Sequence, residues 1–334
     1  MVLTRRTGVK AYYNNKEVEL SNELSSLTIT DNLSGAIDSI SFTLKNDTNR
    51  LLKENNELCI GQEVSFEFWT QNWNSVDEGI KIYKLGTYYI DERSFDNDSG
   101  QFKALSIPLG DSQDEVTTKT WGEISLKSLN EEFAKKFKIS SYFNSKYNPM
   151  LRDLKQENET GLSFLNKIAE QEGFNFKVNV NKIIMFSIEE YEKKKSVYTI
   201  DLNNSIYSFN EETKNLYTKI EINHTQSKWL KEEVAIYSLK DFGIKLPGKV
   251  KEKVLKINER SKSGNLKKLA EIRLMKENRG RITLETTIID KIDLYAGNVI
   301  EIINAGIYNG NYMVKTTVKN LPGLNVKISA YKIW

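Results

Sequence analysis

Polar and apolar positions alternate with a period of two over much of the first third of the chain. Ser41, Thr43 and Lys45 alternate with Ile40, Phe42 and Leu44, a pleat that turns one face inward. VKAYY, SSLTITD, DSISFTLKN, QEVSFEFWT, LGTYYIDER and GQFKALSIP share this β-rich or alternating character, with turn chemistry between them at NNKE, LSG and DNDSG. Six short strands with little helix predict a small barrel or sandwich over residues 1–111.

The period changes near Asp111. In TTKTWGEISLKSLNEEFAKKFKI, Leu126, Leu129, Phe133 and Phe137 recur at helical spacing, and Thr120 with Glu123 makes a capping box. A loop follows around Asn148 and Pro149. A second helix is predicted from Thr160 to Glu172, with Leu162, Leu165, Ile168 and Ala169 on one face and Gly173 as the left-handed residue that ends it. FNFKVNVNKIIMFSI predicts a hairpin turning near Asn179 to Lys182. Residues 112–204 thus read as a small α/β domain, closed by the run EEYEKKK as a solvated surface segment. Strands return from Ser205 to Trp334, interrupted by one helix near 265–278, so residues 205–334 read as a second, mostly β domain.

The two β regions repeat a pattern. Gly61, Val64 and Phe66 are followed by Gly86, Tyr88 and Ile90, then by Gly100 and a last strand. Gly297, Ile300 and Ile302 are followed by Gly310, Tyr312 and Val314, then by Gly323 and a last strand. The first copy is longer by an extended hairpin, TQNWNSVDEGIKI. The expected fold class is therefore mainly β with an α+β insertion: two related small antiparallel β-barrels flanking a small α/β domain.

Composition narrows the function classes. At 334 residues the chain needs two or three domains, and its 39% apolar and 28% charged content is that of a globular protein. No apolar run approaches the roughly 20 residues of a membrane span, and no apolar segment backs the two arginines of MVLTRRTGVK, so neither membrane span nor signal peptide is expected. The single cysteine, Cys59, excludes an internal disulfide and Cys-rich metal sites. The net charge of +3 implies no polyanion partner, but the stretch from Lys245 to Arg281 holds 13 Lys or Arg against 4 Glu. That stretch reads as a solvated face, as a contact for an acidic neighbour, or as a path for a passing polymer.

Candidate chemistry fails on inspection. Gly243–Val250 resembles a phosphate-binding loop, but Val250 replaces the hydroxyl residue that would hold magnesium. Asp96–Gln101 begins like a calcium loop, but its glycine comes early and Ile107 stands where the bidentate Glu belongs, which leaves a β-turn. His224 is the only histidine, too few for a multi-histidine metal site and a lone support for any triad. The carboxylate pairs Glu131–Glu132 and Glu189–Glu190 read as solvated rather than set in an apolar cleft. No catalytic residue, cofactor or metal is expected. The rival readings are a tail-associated peptidoglycan hydrolase and a β-rich surface- or carbohydrate-binding module.

The order of these segments resembles the baseplate hub proteins of phage tails: the late-control D proteins, the hubs of large contractile phages, the N-terminal part of type VI secretion spike proteins, and the PBSX-type prophage hubs. The resemblance rests on Gln156 and Glu159, Phe164 and Leu165, then Glu172, Gly173 and Phe174, and on Gly297, Gly310 and Tyr312 in AGNVIEIINAGIYNGNYMVKTTVKN. It departs where the family often has His after the Gly-x-Tyr-x-Val strand and this chain has Thr316, Thr317 and Lys319. The resemblance implies two tube domains per chain and a homotrimer whose ring has pseudo-sixfold symmetry. It implies a sixfold tail tube or tube-initiator protein on one side and a threefold central spike protein on the other. Baseplate wedge and tape-measure proteins are further candidate partners. Nucleic acid is at most in transit through the bore, and assembly is expected in the bacterial host cytoplasm, in a phage or an R-type bacteriocin. A subunit interface of about 2,000 Å² or more is implied, with Trp69 and Trp73 as candidate contacts. The chain ends soon after the second barrel, so no fused spike or lysozyme domain is expected.

Overall fold

Leu27, Ile40, Phe42, Phe66, Ile90 and Phe102 are almost fully buried, and their polar strand neighbours face outward. In the computed structural model, the residues described are 4–13, 16–18, 23–35, 37–46, 52, 58–108, 115–179, 182–212, 216–225, 232–244, 251–258 and 265–334. The first region holds β1 (Arg6–Tyr13), β2 (Lys16–Val18), β3 (Leu24–Asn32), β4 (Ser39–Lys45), β5 (Glu63–Gln71), β6 (Ile80–Phe95) and β7 (Ser99–Leu105). Their inward faces share one core, in which the Phe42 and Phe102 rings stack at 4.9 Å. Each such buried side chain contributes about 1.5–3 kcal/mol against its exposed state.

The middle region holds β8 (Val116–Ser125), α1 (Leu126–Lys136), β9 (Ser140–Asn144), β10 (Met150–Thr160), α2 (Gly161–Gln171), β11 (Phe174–Asn179), β12 (Lys182–Ser187) and α3 (Ile188–Glu192). The expected capping box is corrected here. Thr120 and Glu123 lie in β8, paired with Lys155 and Arg152 of β10, and Ser125 caps α1 by accepting from the Ser128 N–H. Thr, Trp and Ile in that stretch favour an extended ribbon, and the helix starts only where Leu126 and Leu129 meet the core. The second helix is as expected. Thr160 caps it, and Gly173 follows with φ of 79°, where a Cβ would stand 2.8 Å from Ile272. EEYEKKK differs from the solvated segment expected. It opens as α3, whose Glu190 accepts from Ser145 and whose Glu192 accepts from Arg279 and Tyr331.

The last region holds β13 (Tyr198–Asp201), β14 (Ile206–Glu211), β15 (Lys219–Thr225), β16 (Glu232–Ser238), β17 (Val254–Asn258), α4 (Leu266–Asn278), β18 (Ile282–Ile289), β19 (Val299–Ile303), β20 (Gly310–Leu321) and β21 (Asn325–Lys332). Strands β15 to β17 form a separate sheet with α4 against it and a small core of their own. The remaining strands surround a core built on Leu284, Ile300, Tyr312 and Ile328.

The two β regions have one topology. The ladder β3-β4-β7-β6-β5-β1 in the first matches β14-β18-β21-β20-β19-β13 in the second. The last step differs, antiparallel for β5–β1 and parallel for β19–β13. Register matches as well: Tyr88 faces Val64 and Gly86 faces Phe66, while Tyr312 faces Ile300 and Gly310 faces Ile302. Ile90 faces Ala104 and Val314 faces Ala330, and a β-bulge follows each at once. The turn before β5 repeats before β19. Gly61 N–H donates to Ile90 O and Ile90 N–H to Gln62 O, at 2.7 and 3.0 Å. Gly297 N–H donates to Val314 O and Val314 N–H to Asn298 O, both at 2.9 Å. Both tyrosine hydroxyls donate to a nearby carbonyl, Tyr88 to Leu85 and Tyr312 to Tyr308.

The two units are also joined. Beyond its bulge, β20 pairs with β3, so both units share one continuous sheet.

Candidate functional site

Eight strands run side by side in the order β14-β18-β21-β20-β3-β4-β7-β6. One face of this span supplies the two main cores. The other carries short polar side chains such as Thr28, Ser41, Thr43, Thr287, Asn320 and Ser329, none of them buried. Thr28 Oγ1 donates to Asn320 Oδ1 at 3.1 Å, across the seam between the units. Two ion pairs lie on this face, Lys103 with Glu92 at 2.8 Å and Lys327 with Glu285 at 3.7 Å. Such a face stays hydrated and nearly neutral. Large apolar groups on it gather at the β14 end, where Ile206 is 86% and Ile289 60% exposed.

Both ends of the span have an open edge. Among the described residues, β14 pairs with β18 alone. Strand β6 pairs with β5 through Tyr89; beyond its bulge, Glu92–Phe95 pairs with β7 on one side and with no described strand on the other.

A buried charge cluster sits where the insert meets both units. Lys177 of β11 is ion-paired with Asp31 and with Asp38, the latter at 3.0 Å. Asp31 also accepts from the Ala296 N–H at 2.8 Å, and Asp38 from the Asn32 N–H at 3.1 Å and from Asn179. Burial raises the Asp38 carboxyl to about 6, with Lys177 opposing and Asp31 adding to the rise. Burial also opposes the Lys177 charge, but the two carboxylates outweigh it and hold the ammonium above its ordinary value. Nearby, burial lowers Lys319 to about 8, and its ammonium lies 3.8 Å from the centre of the Tyr295 ring. The cluster fixes three segments in one place; sequence reasoning missed it because alternating Asp and Lys in strands look like solvent-facing positions.

The motif residues of the insert are structural. Phe164 stacks on Trp121 at 5.2 Å, Leu165 is fully buried, and Phe174 packs against Phe143 at 5.4 Å. Buried Gln156 donates to Glu159 O at 2.8 Å, closing the bulge of the β8–β10 ribbon. Glu172, nearly buried, is the last helical cap before Gly173. Gly297, Gly310 and Tyr312 shape the repeated turn and ladder of the second unit, and Gly297 also lies against Phe186 and Tyr191 of the insert.

Trp69 is half-buried over Gly8, on the outer face of β5 opposite Ile82, which is well exposed. Trp73 packs on the edge of the first core. The basic stretch is not on the hydrated sheet face. Several of its described cations meet acids of the same chain: Lys276 pairs with Glu170, Lys268 with Glu189, Arg279 with Glu192 and Arg281 with Glu211. Its residues 245–250 and 259–264 lie outside the described residues, and with them most of the P-loop-like segment. Asp96 makes the expected turn, accepting from the N–H groups of Asp98 and Ser99. His224 lies in β15, and no described helix is long and apolar enough to cross a membrane.

No protein-family profile and no curated protein matches the sequence. Solved structures do. A tail protein from Neisseria meningitidis aligns with a TM-score of 0.70 at 12% identity, over 98% of this chain and 96% of its own. The 43 kDa tail protein of prophage MuSo2 from Shewanella oneidensis aligns at 0.71 and 12%, over 97% and 98%. The Escherichia coli protein c3393, a type VI secretion component similar in structure to the bacteriophage T4 tail proteins gp27 and gp5, aligns at 0.59 and 9%, over 97% and 77%. The chain has the fold of these phage tail and tail-like proteins, the fold that its resemblance to baseplate hubs implied.

Proposed function

We propose that the protein is a baseplate hub: a homotrimer that joins the sixfold tail tube, or its initiator, to a threefold central spike in a contractile phage tail or an R-type bacteriocin. The observation that carries this reading is the repeated unit, with the same ladder order, register, bulge and turn twice in one chain. Two alike units per chain make six in a trimer, which is what a sixfold partner requires of a threefold body. Eight strands per chain supply twenty-four to a ring, and the hydrated face is suited to its bore. In this reading the tube domains are residues 1–111 and 205–334, the second joined by β13, which pairs with β19. The insert braces the outside, and the Trp69 and Ile82 face of the long hairpin is a contact for a neighbour. The role is structural, in a virion or tail-like particle assembled in the host cytoplasm.

Native mass spectrometry tests it. The expected species is a trimer, three times the 38.5 kDa chain, alone or with a spike protein. A monomer at every concentration, with spike present as well, would contradict the reading.

A further inference from the structure

We infer that the threefold spike seats on the end of the ring that carries the β5–β6 and β19–β20 hairpin tips, with Val76 and Ile307 as its apolar contacts. This rests on the hub reading above and deepens it by naming the surface that meets one partner.

The two units follow one another in the continuous sheet with their strands in the same order and direction, so corresponding hairpins lie toward the same end of the bore. A feature present in both units occurs six times in a trimer, and one confined to a single unit occurs three times. At one end lie the β6–β7 and β20–β21 hairpins. Their last ladder pairs are Phe95–Gly100 and Asn320–Asn325, each closed by four residues, and the second hairpin is one pair longer. A trimer thus has six turns of nearly equal reach at this end.

The hairpin tips where β6 and β20 begin lie away from those turns, and they do not repeat. Past the matching pairs Phe66–Gly86 and Ile302–Gly310, the β5–β6 ladder runs on for five more pairs to Gln71–Ile80, whereas the β19–β20 ladder stops. The first arm therefore reaches roughly 17 Å farther along its strands. On this side, too, β3 passes to β4 through the short loop 33–38, whereas β14 passes to β18 through β15 to β17 and α4. Long arm and short arm, loop and subdomain alternate around the ring, a threefold pattern that a threefold body matches.

Each tip holds one exposed aliphatic side chain on a fastened turn. Val76 is 59% and Ile307 81% exposed. Beside Val76, Glu78 accepts from the N–H groups of Trp73 and Asn74 at 3.0 Å and from the Asn74 amide at 2.8 Å, and Asn72 accepts from the Gly79 N–H at 3.1 Å. Beside Ile307, Asn309 accepts from the Ala305 N–H at 2.7 Å, and the Lys332 ammonium donates to the Ile307 carbonyl at 3.0 Å. A turn fixed in advance loses little conformational freedom on docking, so burial of its aliphatic tip goes into binding.

The test uses the full chain, with the purified spike and tube proteins of the same particle as probes. Val76→Asp with Ile307→Asp changes only exposed tip side chains, and unchanged melting checks the fold. Binding to each probe is measured by biolayer interferometry, with native mass in parallel. The double variant is expected to remain a trimer, to bind spike at least about tenfold more weakly and to bind tube protein within about twofold of the wild type. Asn97→Arg, an exposed position in the β6–β7 turn at the opposite end, is expected to leave spike binding unchanged. A wild-type trimer that binds spike no better than the tip variant, or a loss of spike binding as large from Asn97→Arg, overturns the assignment of the ends and leaves the hub reading standing. A wild type that binds neither probe overturns both.

Discussion

Lys177→Met is expected to lose on the order of 3–5 kcal/mol of folding stability near pH 7.5. The substitution keeps length and volume but strands Asp31 and Asp38, both almost fully buried, without their shared cation. The loss should shrink in acid, and the sign follows from Asp38. Its carboxyl titrates at about 6 in the folded chain against an ordinary 3.8, so the native protein already gains stability through this group as pH falls from about 6 to 4. Without Lys177 the largest opposing influence disappears, the carboxyl rises further, and the acid gain begins at higher pH. The raised Lys177 ammonium contributes stability below its unfolded value of 10.5, lost only as pH rises through its higher folded value. Urea denaturation of both proteins near pH 7.5 and 5.5 checks this. The gap should narrow by on the order of 1 kcal/mol or more in acid, and a small gap independent of pH would refute the assignment.

Arg279→Met should cost a similar amount, on the order of 3–5 kcal/mol. Arg279 follows α4 and grips Glu192 of α3 with two hydrogen bonds, at 2.7 and 3.2 Å, while Tyr331 of β21 donates to the same carboxylate at 2.9 Å. Burial opposes the Arg279 charge, and Glu192 more than restores it. Arg279→Lys should recover only part of the loss, because an ammonium cannot reproduce the planar fork. Adding Glu192→Leu to Arg279→Met should regain much of it, since the uncompensated carboxylate is then gone. Denaturation midpoints of the wild type, Arg279→Met, Glu192→Leu and the double variant give the coupling; additive losses would mean that the two side chains do not act together.

Local features were legible in the sequence, and distant partnerships were not. The second helix could be read from Thr160, the Leu165 and Ile168 stripe and Gly173, because capping and periodicity are encoded within one segment. The repeat could be read because glycines at turns and an inward tyrosine recur at fixed offsets, and the ladders place both copies in equivalent positions. The β8–β10 ribbon was misread around Thr120 because its polar, β-branched residues fit a helix cap as well as a strand. The joint between β3 and β20 was invisible, since nothing in Thr28 or Asn320 names a partner almost the whole chain away. The basic stretch near α4 could be read as a solvated face or as a contact for an outside partner, yet several of its described cations meet Glu170, Glu189, Glu192 and Glu211, acids that sequence reasoning had treated as solvated or left aside.

An internally doubled chain lets a threefold body present six alike faces. Electron microscopy of the purified assembly, with rotational averaging of end-on views, addresses this proposition directly. The expected image is a ring with threefold symmetry whose inner wall shows six nearly equal lobes around an open bore. A ring of three single lobes, or one whose symmetry is not a multiple of three, would contradict it.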